Sequence, residues 1–225
     1  MRLDKYLIES GHFKSRARAK SAILEGFVQL NKVVVKKPSM HISEDGIVEV
    51  KERQDVPFGY FKLKEIQEKT GIIKESDSVL DLGSSAGGFL LFASLIAKSV
   101  KGIEYSKEFK EELEEIAQTN DNVSVIFGDV FKIPRFIKSS TMFDVILSDM
   151  TLEPANSLIA LEIVLPHLKM NGKLLQVIKI RTNKRFNPII KQMESLGLKI
   201  IDLIKSEKEE IYILAEKIKN NSHER

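Results

Sequence analysis

Residues 78–89 read Ser-Val-Leu-Asp-Leu-Gly-Ser-Ser-Ala-Gly-Gly-Phe, and this stretch decides the fold. An apolar run of five residues leads into a glycine-rich turn, and a helix is predicted to begin near Gly87. Further along, short apolar runs alternate with amphipathic helical stretches. This alternation predicts a doubly wound, Rossmann-like α/β domain, in which helices cover both faces of a mostly parallel sheet. The predicted strands are 78–82, 100–104, 123–127, 143–148, 173–180, 199–203 and 211–215.

Acidic side chains stand at the ends of the predicted strands. Glu104 ends the second strand, 23 residues after Asp81, and Asp129 follows the third. In this fold a nucleoside cofactor lies at the strand ends, where glycines let backbone N–H groups approach it and an acid binds its ribose. The glycine spacing fits neither a dinucleotide turn nor a phosphate loop, which favours S-adenosyl-L-methionine, a cofactor without phosphate. The predicted cofactor-binding residues are Asp81, Gly83, Ser84, Ser85, Gly87, Gly88, Phe89, Glu104 and Asp129.

Each of these features also has a plainer explanation. The glycines could serve tight packing between strand and helix, and either acid taken alone could be a surface carboxylate. The three strand ends considered together favour the cofactor.

Composition excludes several classes of reaction and location. The chain has 225 residues, 43% of them apolar, and no cysteine, which rules out disulfides, thiolate zinc sites and cysteine nucleophiles. No metal site is predicted. No apolar run is long enough to cross a bilayer, and the N-terminus lacks the apolar centre of a signal peptide. We therefore expect a cytoplasmic protein with no membrane partner.

Positive charge is concentrated near the N-terminus. Residues 1–53 hold 11 Lys and Arg against 7 Asp and Glu, a net +4, whereas the remaining 172 residues hold 24 against 25, a net −1. A surface for an acidic partner is therefore expected in the first 53 residues. The polar stretch 51–60 contains Pro57 and Gly59, and we expect it to link an N-terminal domain, 1–53, to a larger domain, 54–225.

The N-terminal segment predicts two helices followed by a small sheet. Helices are expected from Leu3 to Gly11 and from a cap at Ser15 to about Glu25, and strands at 27–30, 32–35 and 47–50. This α+β segment resembles the RNA-binding module first seen in ribosomal protein S-four, which implies RNA as a partner. The resemblance rests on Arg2-Leu3-Asp4-Lys5-Tyr6-Leu7, Ser10-Gly11, Ser15-Arg16, Ala19, Ile23, Gly26, Val28 and Asn31.

The predicted RNA contacts are basic side chains. In the second helix Lys14/Arg18 and Arg16/Lys20 form two i,i+4 pairs, but 100° per residue places the pairs on different sides of the helix. Only some of these residues can therefore face one RNA strand, and a solvated helix surface is the alternative for each. The predicted RNA-binding residues are Arg2, Lys14, Arg16, Arg18, Lys20, Arg181, Lys184 and Arg185.

The fourth predicted strand ends in Asp149-Met150-Thr151-Leu152. Methyltransferases that act on amino groups commonly carry Asn/Asp-Pro-Pro-aromatic here, so a ribose hydroxyl is the better acceptor. With Lys62, Lys179 and Glu210, Asp149 resembles the Lys-Asp-Lys-Glu tetrad of FtsJ-like 2′-O-ribose methyltransferases. The chain looks still more like the TlyA/haemolysin A family, which joins the S-four module to an FtsJ-like domain and methylates ribosomal RNA. That similarity rests on the segment 59–63, the loop 83–89 and the step from Gly172 to Lys179.

The resemblance implies a catalytic role for Lys62, Asp149, Lys179 and Glu210. A ribose hydroxyl is a poor nucleophile until a base removes its proton, and a lysine can do so only as the neutral amine, which burial and a second lysine promote. We assign Lys179 as the base, Asp149 as the group that orients it, and Lys62 and Glu210 as electrostatic partners.

Two other functions stay open. One is an RNA-binding protein whose methyltransferase fold is inactive, and the other is a membrane-active haemolysin, as the family's historical name suggests. The chain also departs from the family pattern at 56–59, where Val-Pro-Phe-Gly replaces Ser-Arg-Gly-Gly, and at 180–183, where a proline-containing stretch is replaced. These departures concern the RNA target more than the reaction.

Overall fold

The computed structural model describes most of the chain in seven segments. They are residues 1–13, 15–24, 26–43, 46–50, 56–179, 187–205 and 210–218. Four of the predicted RNA-binding residues lie outside the described segments, namely Lys14, Arg181, Lys184 and Arg185.

The N-terminal part of the chain forms a small α+β domain. Helices α1 (Leu3–Glu9) and α2 (Arg16–Leu24) precede three antiparallel strands, β1 (Val28–Leu30), β2 (Val33–Val34) and β3 (Val48–Val50), in the spatial order β2-β1-β3. Leu3, Leu7 and Ile23 are buried in a core shared by both helices and β1. Ser15 caps α2, as predicted, because its Oγ accepts a hydrogen bond from the N–H of Arg18 at 3.3 Å.

The hairpin between β1 and β2 makes these strands shorter than predicted. Leu30 pairs with Val33, which leaves Asn31 and Lys32 as a two-residue turn. Both turn residues have positive φ, 51° and 67°, as a type I′ turn requires. Lys32 therefore belongs to the turn and not to the second strand.

Helix α3 (Phe58–Thr70) begins inside the segment predicted as a linker. Residues 58–60 form its first turn, whereas 51–55 lie outside the described residues. Gly71 ends the helix in the left-handed region with φ of 57°. Leu63 and Ile66 are buried in the larger domain's core, and their spacing of three residues is the helical signal that the sequence contains.

Seven strands form the sheet of the larger domain, in the spatial order sixth, fifth, fourth, seventh, eighth, tenth and ninth along the chain. They are β4 (Ser78–Leu82), β5 (Ser99–Glu104), β6 (Val123–Phe127), β7 (Phe143–Ser148), β8 (Leu168–Lys179), β9 (Leu198–Lys205) and β10 (Glu210–Lys217). Strands β4 to β8 run parallel, and β10 is antiparallel to both β8 and β9. The chain starts at β4, moves out to β6 and returns to β7 beside β4. Ligands bind at such a reversal, outside the carboxyl ends of the strands.

Helices cover both faces of this sheet, which confirms the doubly wound fold. One face packs against α3, α4 (Gly88–Ser94) and α5 (Lys110–Thr119), and the other against α6 (Pro154–Val164) and α7 (Asn187–Ser195). Side chains alternate between the faces along each strand. In β7, Val145 and Leu147 lie on the α3–α5 face and Ile146 lies on the α6–α7 face.

Candidate active site

Lys62 lies at the centre of a charged cluster at the carboxyl ends of the strands. Its Nζ donates to Asp149 Oδ2 at 2.7 Å and to Glu210 Oε2 at 2.8 Å, and only 5% of its side chain is exposed. Burial by itself lowers the pKa of Lys62, but the charges and hydrogen bonds of the two carboxylates outweigh it, so the pKa is raised. Lys62 is therefore a fixed cation between two anions.

The sheet directs the other three members of the predicted tetrad to the face that carries α3. Asp149 follows β7 directly, and Glu210 begins β10, where it pairs in register with Lys179 at the end of β8. Each of the three lies two residues from a side chain on the α3–α5 face, so the period of two places them on that face. Those side chains are Leu147, Val177 and Tyr212.

Two aromatic rings enclose the ammonium group of Lys62. Its Nζ lies 5.2 Å from the ring centre of Tyr212 and 5.9 Å from that of Phe89, distances at which rings attract a cation. Tyr212 Oη also donates to Glu210 Oε2 at 3.3 Å. Tyr212 was not among the residues predicted from the sequence, although its place two residues after Glu210 on one strand face is the signal that could have found it.

Lys179 lies next to this cluster. Its side chain is exposed, and its Nζ is 3.5 Å from Thr151 Oγ1. Among the described residues it forms no ion pair. The sequence predicts that Lys179 is buried and that Asp149 orients it. In the structure Lys62 is the buried lysine, and Asp149 pairs with Lys62. The reason is that α3 carries Lys62 onto the strand ends, while Lys179 ends its strand at the solvent.

The glycine-rich turn, 83–88, connects β4 to α4 and packs tightly against its neighbours. Gly83 and Gly87 have φ of 80° and 82°, a region that favours glycine. A Cβ on Gly87 would lie 2.3 Å from Ile116 Cδ1 in α5, and a Cβ on Gly88 would lie 2.6 Å from the backbone N of Tyr60 in α3. Packing against α5 and α3 therefore requires these two glycines, whatever ligand the turn also holds.

Glu104 holds the turn to the segment that follows β5. Its buried carboxylate accepts hydrogen bonds from the N–H of Ser85 through Oε2 and from the N–H of Ser106 through Oε1, each at 2.7 Å. A carboxylate oxygen can accept a second hydrogen bond. Glu104 can therefore order the turn and still accept from hydroxyl groups of a ligand.

Asp81 and Ser84 are buried polar side chains at the same place. Among the residues that the structure describes, neither carboxylate oxygen of Asp81 and not the hydroxyl of Ser84 has a hydrogen-bond partner. Burial raises the pKa of Asp81 to about 7, the nearby hydroxyl of Ser84 opposes this although it lies outside hydrogen-bond geometry, and the charges of Asp149 and Glu104 act in the same direction as burial. Because an unpartnered buried polar group is costly, this pair fits a ligand that brings a donor or a positive charge.

Asp129 has a local structural role that the sequence had not indicated. It precedes a short 3-10 helix, residues 130–135, and its Oδ1 accepts from the N–H of Phe131 at 3.1 Å. Lys132 Nζ lies 3.4 Å from its other oxygen. Asp129 therefore caps this helix at the end of β6, next to the strand that ends in Glu104.

The basic residues of the N-terminal domain are divided between two sets of contacts. Arg2 and Arg16 both bind the buried carboxylate of Asp4, at 2.9 and 3.1 Å, and keep 40% and 55% of their side chains exposed. Arg18 and Lys20 point to the larger domain, where they pair with Glu115 and Glu108. Arg2 and Arg16 thus stay partly open to a ligand while they pair within the N-terminal domain.

Within the described segments, the helices are too short and too polar to span a bilayer. The same segments contain no group of three or more His, Cys, Asp or Glu side chains placed to hold a metal ion.

Two family models and several relatives match the chain. The S4 domain matches residues 1–48, and the FtsJ-like methyltransferase matches residues 58–218. Ribosomal RNA large subunit methyltransferase E of Wigglesworthia glossinidia brevipalpis is 29% identical over 168 residues, which cover 72% of this chain and 77% of that protein. Hemolysin A of Brachyspira hyodysenteriae is 37% identical over 90 residues, which cover 40% of this chain and 38% of that protein.

Solved structures share the fold. A candidate hemolysin from Streptococcus thermophilus has a TM-score of 0.61 at 18% identity, and the match covers 98% of this chain and 89% of that one. The pre-rRNA processing protein fibrillarin of Methanococcus jannaschii has a TM-score of 0.57 at 28% identity, covering 66% of this chain and 70% of that one. The FtsJ-like match spans well over half of the chain and includes all four tetrad residues. The chain belongs to the FtsJ-like methyltransferase family, with an S4 domain before its catalytic domain.

Proposed function

We propose that this chain transfers a methyl group from S-adenosyl-L-methionine to a ribose 2′-hydroxyl of ribosomal RNA. The observation that carries the proposal is the ion-paired cluster of Lys62, Asp149 and Glu210 beside Lys179, at the reversal of strand order. The names of two relatives, a ribosomal RNA large subunit methyltransferase and a pre-rRNA processing protein, support ribosomal RNA as the substrate. The S4 domain supports RNA as the partner.

The residues around the glycine-rich turn fit the cofactor. Asp81 and Ser84 offer buried acceptors without partners, which the amino group of the cofactor would satisfy. Glu104 would accept hydrogen bonds from the ribose hydroxyls with the carboxylate lone pairs that do not bind the turn. Asp129 would accept a hydrogen bond from the adenine amino group. When bound, S-adenosylmethionine supplies a methyl group that its sulfonium charge activates for transfer.

Lys179 is the residue that we assign as the base. It accepts the proton of the 2′-hydroxyl as the new oxygen–carbon bond forms and the carbon–sulfur bond breaks. Lys62 cannot take this part, because its raised pKa keeps the proton on its amine. RNA lying over the exposed side chain of Lys179 would remove water from it, and loss of solvent favours the neutral amine that a base requires.

Lys62 organises the negative charge beside the base. It holds Asp149 and Glu210 by hydrogen bonds of 2.7 and 2.8 Å, and the cluster as a whole carries one net negative charge. The Lys62 ammonium offsets one of the two carboxylate charges, so the negative field beside Lys179 is weaker than that of two unpaired carboxylates. Lys62 and Glu210 are thus positioning residues for Asp149 and for the field at Lys179.

The test is transfer of radioactive methyl from S-adenosylmethionine to purified ribosomal RNA, with the product identified by mass spectrometry after alkaline hydrolysis. A 2′-O-methyl group protects the adjacent phosphodiester bond from alkali, so the label should appear in dinucleotides. Lys179→Ala should abolish transfer and leave cofactor binding intact, because a base acts mainly in the transition state. The matched control is Lys173→Ala on the same strand, where the lysine pairs with Glu216.

Each other outcome has a defined meaning. Label confined to mononucleotides would assign the methyl group to a base and refute the ribose reaction. RNA binding without any transfer by the intact chain would leave an RNA-binding protein with an inactive methyltransferase fold. Substantial transfer by Lys179→Ala would remove Lys179 from the mechanism.

A further inference from the structure

The basic side of α2 in the N-terminal domain lies against an acidic segment of the catalytic domain. That segment, residues 108–115, contains five glutamates and includes the start of α5. Three polar contacts among the described residues join α2 and its cap to this segment. Ser15 Oγ donates to Glu112, Lys20 Nζ lies 2.6 Å from Glu108 Oε1, and Arg18 Nη2 lies 3.8 Å from Glu115 Oε2.

These contacts occupy side chains that would otherwise suit a phosphate backbone. Only 13% of the Arg18 side chain is exposed in this arrangement, against 55% for Arg16 on the other side of the helix. A row of glutamates offers a basic helix the same negative charge and acceptor oxygens as successive phosphates. Against the segment 108–115, Arg18 has little surface left for RNA, and Lys20 shares its ammonium with Glu108.

We propose that the segment 108–115 is an intramolecular competitor of RNA, which holds the basic side of α2 in a closed latch until RNA displaces it. The latch consists of Ser15, Arg18 and Lys20 with their three glutamate partners. The inference rests on the proposed function only in taking RNA as the partner of the N-terminal domain.

The contacts of the latch are weak enough to break when RNA binds. Lys20 and Glu108 keep 37% and 46% of their side chains exposed, and Glu115 keeps 54%, and ion pairs with this exposure each contribute little. RNA offers many phosphates to the same residues and releases counterions on binding. A ring contact between Phe27 and Phe58, with centres 6.0 Å apart, lies where the catalytic domain begins and involves no charge. It can persist when the ionic contacts separate.

A closed latch has a measurable consequence for RNA affinity. When only the open state binds through α2, the observed affinity equals the affinity of the open state multiplied by the fraction of molecules that are open. Removing the glutamates that close the latch should therefore tighten RNA binding, although they are not RNA contacts.

The first experiment compares two double variants of the full chain. Glu108→Gln/Glu115→Gln removes the two ionic partners of α2, and Glu111→Gln/Glu114→Gln removes the same charge from the exposed side of the same segment. Within the described part of the chain, Glu114 pairs with Lys110, and neither control residue bonds to α2. Affinity for purified ribosomal RNA should rise roughly fivefold more in the first variant than in the second, as expected from two exposed pairs. Equal gains would mean that the change in net charge alone raises the affinity, and would overturn the latch.

The second experiment closes the latch covalently. The chain has no cysteine, so Lys20→Cys/Glu108→Cys provides a unique pair of thiols that a short bis-maleimide can join. The joined protein should bind ribosomal RNA more weakly than the same variant with each thiol capped by N-ethylmaleimide. Binding of S-adenosylhomocysteine serves as the check on folding. Equal or tighter RNA binding by the joined form would mean that the docked arrangement is the one that binds RNA, and would refute competition.

Neither measurement depends on methyl transfer. A chain that transfers no methyl group can still show the latch, and an active enzyme can lack it. Failure of the latch is therefore distinguishable from failure of the proposed function.

Discussion

Replacement of Lys62 by methionine should destabilise the protein far more than loss of an ordinary lysine. Methionine keeps an apolar stem of similar length but removes the cation that Asp149 and Glu210 share. Their accepting oxygens are at most 5.5 Å apart, because the two bonds to Nζ measure 2.7 and 2.8 Å. Two unit charges at that separation repel by about 3 kcal/mol at an effective dielectric constant of about 20. We therefore expect the free energy of unfolding to fall by about 3 kcal/mol, the low end of the loss for a broken buried pair.

Urea unfolding followed by circular dichroism at pH 7 measures this change. The matched control is Lys64→Met on the same helix, where the lysine is half exposed and pairs with Glu68 four residues on. Loss of that pair should cost about 0.5 kcal/mol or less. If Lys62→Met costs no more than Lys64→Met, the buried cluster does not stabilise the fold as we infer.

The triple variant Lys62→Met/Asp149→Asn/Glu210→Gln separates charge from packing. It should recover most of the lost stability, because it leaves no buried charge without a partner. In the wild type the raised pKa of Lys62 means that its pairing with the two carboxylates stabilises the folded state. Its contribution persists at neutral pH and is lost only as the pH rises above about 10.4. If the triple variant is as unstable as Lys62→Met, the loss of stability comes from packing and not from charge.

Three further predictions concern the cofactor edge. Glu104→Gln should weaken binding of S-adenosylhomocysteine by about 1–3 kcal/mol, as for loss of charged hydrogen bonds, and unchanged affinity in calorimetry would mean that the site is misplaced. Gly87→Ala should lower the free energy of unfolding by about 1–3 kcal/mol through overpacking, because its Cβ would meet Ile116 Cδ1 at 2.3 Å; adding Ile116→Val removes that atom and should restore part of the loss in urea unfolding. The pKa of Asp81 is raised to about 7, above its unfolded value of about 3.9, so its contribution to stability is present below about pH 4 and is lost as the pH rises to about 7, by up to about 4 kcal/mol. Asp81→Asn should flatten that part of the pH profile of unfolding, and parallel profiles for the two proteins would contradict the assignment.

Much of the fold could be predicted because its signals are local. Each buried strand is an apolar run, and the run at 78–82 with the turn after it marks the start of the sheet. Glu104 and Asp129 could be placed at one edge, since parallel strands present their carboxyl ends together. The strands of the hairpin at Asn31 were overestimated, because the left-handed conformation of Lys32 depends on the pairing across the turn.

Helix α3 shows where prediction from the sequence failed. Pro57 and Gly59 suggested a linker, yet Gly59 lies against Gly88, whose added Cβ would be 2.7 Å from Gly59 Cα. The glycine there serves close packing of α3 on α4. Such a contact joins residues about thirty positions apart, and no local pattern reports it.

The sequence by itself determined the order of the elements, and it predicted one edge of the sheet and four tetrad residues as the candidate site. These follow from periodicity, from turn chemistry and from a family resemblance that survives in short motifs. Only the tertiary structure decided which charges meet. It paired Asp149 with Lys62, 87 residues away, and left Lys179 at the solvent. It also set Arg18 and Lys20 against the acidic segment 108–115. The physical reason is that an ion pair forms where packing of helices and strands brings two side chains within a few ångströms, and that distance is a property of the assembled fold.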